Sequence, residues 1–412
     1  MKGLYSIGIY IASFVVKIAA VFNSKLKQGV IGRKQTFTKL ENTIQPTDKS
    51  FWFHCASLGE YEQGLPVFEA LKAKHPDYKV VLSFFSPSGY EVRKNAKIAD
   101  VVVYLPLDTT ANAKRFLDLV HPDYILFVKY EIWPNFLHEI KKRDLNAILI
   151  SAVFRKDHAF FKWYGNYAKS ALFGFKHIFT QDENSKLLLE RIDYNSVSVS
   201  GDTRFDRVSN QLKIDNSVSF IERFKNDQLC VVFGSTWPDD DKLYMDFINS
   251  NKHTDVKYVI APHNIKASYV ASLKSQLKVN TICYSELNEN DNLADYKVFI
   301  LDTIGYLSKV YSYADMAYVG GGAGSTGLHN ILEPAVFGMP ILIGKNYDKF
   351  PEAKTLIDLG GVTSLASATA FDSTLTALIT DNTLRKQQGQ ITKSYIASNT
   401  GAVLQIMNYF NS

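Results

Sequence analysis

The residues best suited to chemistry lie in one stretch, Gly320-Gly-Gly-Ala-Gly-Ser-Thr-Gly-Leu-His-Asn-Ile-Leu-Glu333, followed by Pro334. The apolar run ending in Ala317-Tyr-Val319 reads as a buried strand, the glycines permit a sharp turn without a Cβ clash, and 330–337 has helical character. A strand, a glycine loop and a helix start would aim free backbone N–H groups and the positive end of a helix dipole at a phosphate. Glu333, a turn into that helix, is placed to accept hydrogen bonds from the hydroxyls of a ribose. No Gly-Lys-Ser/Thr follows, which excludes a P-loop. Gly322-Ala-Gly-Ser-Thr-Gly327 matches Gly-x-Gly-x-x-Gly, yet the next strand, 340–343, ends in Gly344-Lys345 without the acid that a dinucleotide ribose requires. A sugar nucleotide therefore fits better than ATP or NAD. A tight turn closing a core strand is the plain alternative for the glycines alone.

Other polar groups fall at strand ends. The run 51–56 leads into Ser57-Leu-Gly-Glu60, which puts Glu60 where a carboxylate can accept a proton, or where it would simply favour a helix dipole. In Lys129-Tyr-Glu-Ile-Trp-Pro-Asn135, Pro134 is suited to open a helix and Glu131 again follows a strand, as a functional acid or as a helix cap. In the second half, Phe233-Gly-Ser235-Thr236 can present hydroxyls and amides to a phosphate. Pro262-His263 and Asp302-Thr-Ile304-Gly305-Tyr306-Leu307 end two further strands, so several loops converge on one ligand site.

The elements that must position these groups alternate. Runs at 51–56, 79–85, 101–105, 124–128, 147–151 and 177–180 read as strands, with helical periodicity at 62–75, 110–121 and 133–143 between them. A second series has strands at 229–234, 256–261, 298–301, 316–319 and 340–343. This alternation is that of α/β domains with parallel sheets. The division expected is an N-terminal segment 1–34, a first doubly wound domain 35–206, a polar linker 207–227 and a second doubly wound domain 228–412, with ligands in a cleft at the carboxyl ends of the strands.

At 412 residues, 46% apolar and 21% charged, the chain is long enough for two globular cores. The net charge of +5 comes from dispersed Lys and Arg, which gives no case for nucleic acid. Cys55, Cys230 and Cys283 have no metal-type spacing and read as buried thiols of a reducing compartment. Leu4 to Phe22 is nearly continuous apolar sequence interrupted by Lys17, and Lys25, Lys27, Arg33 and Lys34 follow. It reads as an uncleaved anchor or a helix lying in a membrane interface, with its basic tail on the cytoplasmic side; a buried structural helix is the alternative.

Taken in order, the motifs resemble those of the 3-deoxy-D-manno-octulosonic acid (Kdo) transferases. They are Trp52-Phe-His-Cys-Ala-Ser-Leu-Gly-Glu60, Leu105-Pro-Leu-Asp108, Glu131-Ile-Trp-Pro-Asn135, Gly201-Asp-Thr-Arg-Phe-Asp206, Ser235-Thr236, Pro262-His263 and Gly327-Leu-His-Asn-Ile-Leu-Glu-Pro334. The resemblance implies a GT-B glycosyltransferase: two Rossmann-like domains with an N-terminal membrane-anchoring helix. It implies inverting transfer of Kdo from CMP-Kdo to the lipid A precursor (lipid IVA) in lipopolysaccharide biosynthesis, at the cytoplasmic face of the inner membrane, without a metal or cofactor. By motif match, Glu60 is implied as the base, and Glu131 and Arg204 as groups stabilising the transition state. Ser235, Thr236, Pro262, His263, Ile304, Gly305, Tyr306, Asn330, Ile331, Leu332 and Glu333 are implied to hold CMP. Another GT-B transferase or an epimerase using a UDP-sugar would share the carboxyl-edge loops and Glu333.

The chain departs from the family pattern at several positions. Lys129 replaces the first acid of a Glu-Thr-Glu, Arg204 stands for a lysine and changes the donor geometry, Tyr306 stands where Glu is common, and Thr236-Trp237-Pro238 replaces a Thr-His pair. The aromatic run Phe160-Phe-Lys-Trp-Tyr164 near Arg155 and Lys156 suits an acidic lipid surface, or a core helix with a basic face.

Overall fold

The computed structural model describes residues 2–411. Two compact units emerge: the chain up to Arg207 joined by the tail from Thr400, and Val208–Asn399.

In the first unit, strands β1 (Ser50–Cys55), β2 (Lys79–Phe84), β3 (Val101–Tyr104), β4 (Tyr124–Val128), β5 (Asn146–Ala152), β6 (His177–Thr180) and β7 (Val197–Val199) form a parallel sheet ordered β3-β2-β1-β4-β5-β6-β7. Helices cover both faces, so β1 is apolar on consecutive residues rather than alternately. Trp52 packs to one side, 4.7 Å from Phe116 and 5.1 Å from Phe127 between ring centroids, while Phe53 stacks on Phe68 at 4.2 Å on the other.

In the second unit, β8 (Leu229–Thr236), β9 (Val256–Pro262), β10 (Thr281–Cys283), β11 (Val298–Ile300), β12 (Met316–Val319), β13 (Ile341–Gly344) and β14 (Val362–Leu365) form a parallel sheet ordered β10-β11-β9-β8-β12-β13-β14. The sequence reading lacks β7, β10 and β14. Each is only three or four residues long and lies at a sheet edge, too short to show a period.

The unit boundaries differ from those expected at three places. The last helix, Ala402–Tyr409, returns to the first unit: Asp206 accepts the N–H groups of Gly401 (2.9 Å) and Ala402 (3.0 Å), Ile406 is buried, and the Tyr409 ring lies 4.9 Å from that of His177. Within the expected linker, helix Ser219–Lys225 buries Ile221 and Phe224, the latter against Phe299, and so belongs to the second core. Within the N-terminal segment, helix Ser24–Lys34 docks on the first sheet. Arg33, expected in a free basic tail, donates to the carbonyls of Phe85 (2.6 Å) and Leu105 (3.1 Å) and covers the Phe85 ring. Gly32 permits this approach, since a Cβ there would stand 2.2 Å from the Tyr104 ring.

Among the described residues no helix is long and apolar enough to cross a membrane. Helix Lys2–Ala19 leaves Leu4, Ile7, Ile11, Phe14 and Val15 exposed, and the Tyr5 hydroxyl donates to Asp108 at 2.8 Å.

Candidate active site

In the first sheet β1 is followed outward by β2 on one side and flanked by β4 on the other. The space at the carboxyl ends of β1 and β4 is therefore the topological switch point, where open α/β sheets bind ligands. Glu60 stands there, in the first turn of helix Leu58–Lys74, and Glu131 follows β4 just before helix Pro134–Lys142. Both are largely buried, at 7% and 8% exposure. Glu60 Oε2 accepts the Ala56 N–H at 2.5 Å. Burial, and next the negative charge of Glu131, push the Glu60 carboxyl up to about 7, against the pull of the Ala56 and Ser57 N–H groups and Lys129. A carboxylate that loses its proton near neutrality inside a sheltered site is suited to general-base work.

The loop bearing Glu131 is pinned from behind. Asp108, fully buried, accepts the N–H groups of Asn135 and Phe136 at 3.0 Å each, and Asn135 returns its side-chain amide to the Asp108 carbonyl at 2.5 Å. The Leu105-Pro-Leu-Asp108 motif is thus a cap that fixes the start of the helix immediately after Glu131-Ile-Trp133. Trp133 Nε1 then lies 3.0 Å from both Glu131 Oε2 and His54 Nε2.

Arg204 is engaged elsewhere in the unit. Its Nε donates to Asp202 Oδ2 at 2.8 Å and its backbone N–H to Oδ1 at 2.9 Å, and Gln63 holds the same carboxylate. The structure brings Glu60 and Glu131 together, and the cation that acts on Glu60 is Lys129, held at φ +69° with its N–H on the Ile150 carbonyl. In the sequence Lys129 showed only as a departure from a pattern.

In the second unit the switch point lies between β8 and β12. Thr236 pairs with Pro262 in the ladder and accepts the His263 N–H at 2.9 Å, so the ends of β8 and β9 are joined. Trp237 stacks on His263 at 4.5 Å and donates its indole N–H to His329 Nε2 at 3.0 Å. Burial, then the neighbouring His263, push His329 down to about 4. His329 is therefore neutral at physiological pH, and with Nε2 accepting it carries its own proton on Nδ1.

The glycine loop differs from the expectation of free N–H groups and a long helix. Asp240, fully buried, accepts from the N–H groups of Trp237 (2.9 Å), Gly321 (2.8 Å) and Ala323 (3.3 Å) and from the Tyr318 hydroxyl (2.7 Å). Two loop amides thus already serve a carboxylate. Gly321 sits at φ +89°, and a Cβ on Gly344 would strike the loop 2.1 Å from Ala323 N, so the glycines serve close approach of two backbones. The following helix is only Leu332–Ala335, with Ile331 and Leu332 buried. Glu333 lies in its first turn and accepts from Asn330 Nδ2 at 3.1 Å. Ile304 is exposed and Gly305 takes φ +98°, while the Tyr306 ring lies against Phe220 and Tyr284.

Two seven-stranded parallel sheets with this order of strands are those of the GT-B glycosyltransferases and epimerases. The fold is similar to that of a UDP-GlcNAc 2-epimerase from Neisseria meningitidis, with a TM-score of 0.62 and 16% identity over 89% of this chain and all (100%) of the other. Residues 31–207 match the family model described as 3-deoxy-D-manno-octulosonic-acid transferase (kdotransferase). The 3-deoxy-D-manno-octulosonic acid transferase of Haemophilus influenzae is 26% identical over 381 residues, covering 89% of this chain and 88% of its own length. That of Chlamydophila psittaci is 26% identical over 366 residues, 85% and 82% of the two chains. The chain belongs to the Kdo transferase family.

Proposed function

We propose that the chain is an inverting Kdo transferase of lipopolysaccharide biosynthesis that moves Kdo from CMP-Kdo to the lipid A precursor, without a metal ion. The observation that carries this reading, within the family, is Glu60: a buried carboxyl raised to about 7 at the switch point of the first unit. Glu60 takes the proton from an acceptor hydroxyl as its oxygen attacks the anomeric carbon. The bond to the phosphate oxygen breaks and CMP leaves with the electron pair, so one displacement inverts the centre. Glu131 and Arg204 are assigned the developing charges, positive on the sugar and negative on the phosphate. In the second unit, Ser235, Thr236, Pro262, His263, the 304–306 segment and 330–333 hold CMP.

The test is mass spectrometry of the lipid product made by the purified chain from CMP-Kdo and lipid A precursor in the presence of EDTA. A product heavier by Kdo is expected; turnover of a UDP-sugar in place of CMP-Kdo overturns the assignment.

Glu333 is assigned the ribose. Glu333→Gln is expected to weaken CMP and CMP-Kdo binding together by about 1.5–3 kcal/mol, the size of a lost charge-assisted hydrogen bond. Unchanged CMP affinity by calorimetry removes the role.

Action at the cytoplasmic face of the inner membrane is proposed from helix Lys2–Ala19, whose apolar side chains are exposed and which Lys25 and Lys27 follow. Deleting residues 2–22 is expected to release the protein from membranes. It also removes the Tyr5 donor to Asp108, so Tyr5→Phe serves as the control: sedimentation with membranes is kept there and lost in the deletion. A deletion variant that still sediments fully with membranes removes the helix from this role.

A further inference from the structure

His54 lies on β1, fully buried, and the proposed transfer makes no use of it. Its ring completes a line of polar groups crossing the first sheet. Trp52 Nε1 donates to Ser83 Oγ at 2.7 Å; Ser83 Oγ is 2.9 Å from His54 Nδ1. His54 Nε2 is 3.4 Å from Glu131 Oε2, and Trp133 Nε1 lies 3.0 Å from both. The two indoles only donate, so the ends of the line are fixed in direction. The middle is not, because Ser83 Oγ is also 3.4 Å from the Phe53 carbonyl and its hydroxyl has two acceptors to choose from.

Two arrangements satisfy every group. With Glu131 ionised, Ser83 donates to His54 Nδ1, Nε2 carries the ring proton and faces Oε2, and Trp133 donates to the same oxygen. With Glu131 protonated, its hydroxyl faces Nε2, Nδ1 carries the ring proton toward Ser83, and Ser83 turns to the Phe53 carbonyl. One hydroxyl rotation and one tautomer exchange connect the two. Neither state strands a buried donor, which would otherwise cost about 1–3 kcal/mol.

We infer that His54 is a positioning residue of the transfer, joined with Ser83 in a reversible hydrogen-bond chain that holds Glu131 ionised at rest and lets it take up a proton without loss of structure. The inference rests on the reading of Glu60 as the base, because the charge held on Glu131 is one of the forces on Glu60. The titratable and charged groups around the pair are Glu60 in helix Leu58–Lys74, Lys129 after β4 and the Cys55 thiol on β1, which burial pushes up and keeps neutral. The remaining neighbours, Trp52, Phe127 and Trp133, are uncharged rings.

The test is the pH profile of kcat/KM in the full-length enzyme. His54→Phe removes the donor, Glu131 protonates, and Glu60 no longer faces a negative charge. The acid limb is then expected to move to lower pH. In addition, kcat is expected to fall about tenfold or more, the loss of one charge-assisted hydrogen bond, with CMP-Kdo affinity unchanged. His54→Gln can still point an amide N–H at Glu131 and is expected to return the acid limb to its wild-type position. If His54→Phe does not fold, Ser83→Ala breaks the chain one step back and carries the same expected shift. An acid limb that stays in place in the folded variants makes His54 a packing residue and overturns the inference. The Glu60→Gln profile separates the two readings, since an intact acid limb there overturns the base itself.

Discussion

Glu60→Gln is expected to lower kcat by about 10²–10⁴ while CMP-Kdo still binds, because a glutamine of the same shape cannot take the acceptor proton. The wild-type profile supplies the companion result. The base acts only when ionised, so kcat/KM rises with pH through an acid limb near 7. That limb disappears in the variant. Stability carries the opposite sign. The folded chain binds the Glu60 proton more tightly than the unfolded chain, so this group favours folding at low pH and costs stability as pH rises through about 7. Glu60→Gln therefore raises the thermal midpoint more at pH 8 than at pH 5, a signature of a residue whose burial serves activity rather than the fold. Near-normal turnover in a variant with an intact acid limb would pass the base role to Glu131, its neighbour at the same switch point.

Asp240→Ala is expected to destabilise the second unit by about 3–5 kcal/mol, as breaking a fully buried network does. Its carboxylate is the shared acceptor for Trp237, Gly321 and Ala323 N–H groups and for the Tyr318 hydroxyl. Truncation strands these donors in the core, releases the glycine loop from the start of helix Pro238–Ser250, and weakens CMP binding as a consequence. Urea unfolding followed by CMP titration measures both. An unchanged midpoint would mean that the approach of Gly322 to Gly344 holds the loop by itself.

Much of the architecture was legible because long buried strands write themselves as apolar runs. The six first-unit strands and five second-unit strands expected all form, with ends shifted by no more than two residues. The edge strands β7, β10 and β14 left no such trace, since a short strand paired on one side needs few apolar residues. The return of the chain at Thr400 was illegible for another reason: it depends on Asp206 meeting two amides almost two hundred residues away.

The sequence by itself determined the fold class, the placement of Glu60 and Glu131 at strand ends and, through colinear motifs, the family. These are local facts, written in periodicity and spacing. Only the tertiary structure decided what each polar group faces. It set Glu131 beside Glu60 and so raised the base, put Lys129 in service as its cation, tied Arg204 to Asp202, and spent two amides of the glycine loop on Asp240. It also joined His54 to Glu131 across 77 intervening positions. Charge interactions and buried hydrogen bonds act over a few ångströms in space without regard to separation along the chain, so no local pattern could announce them.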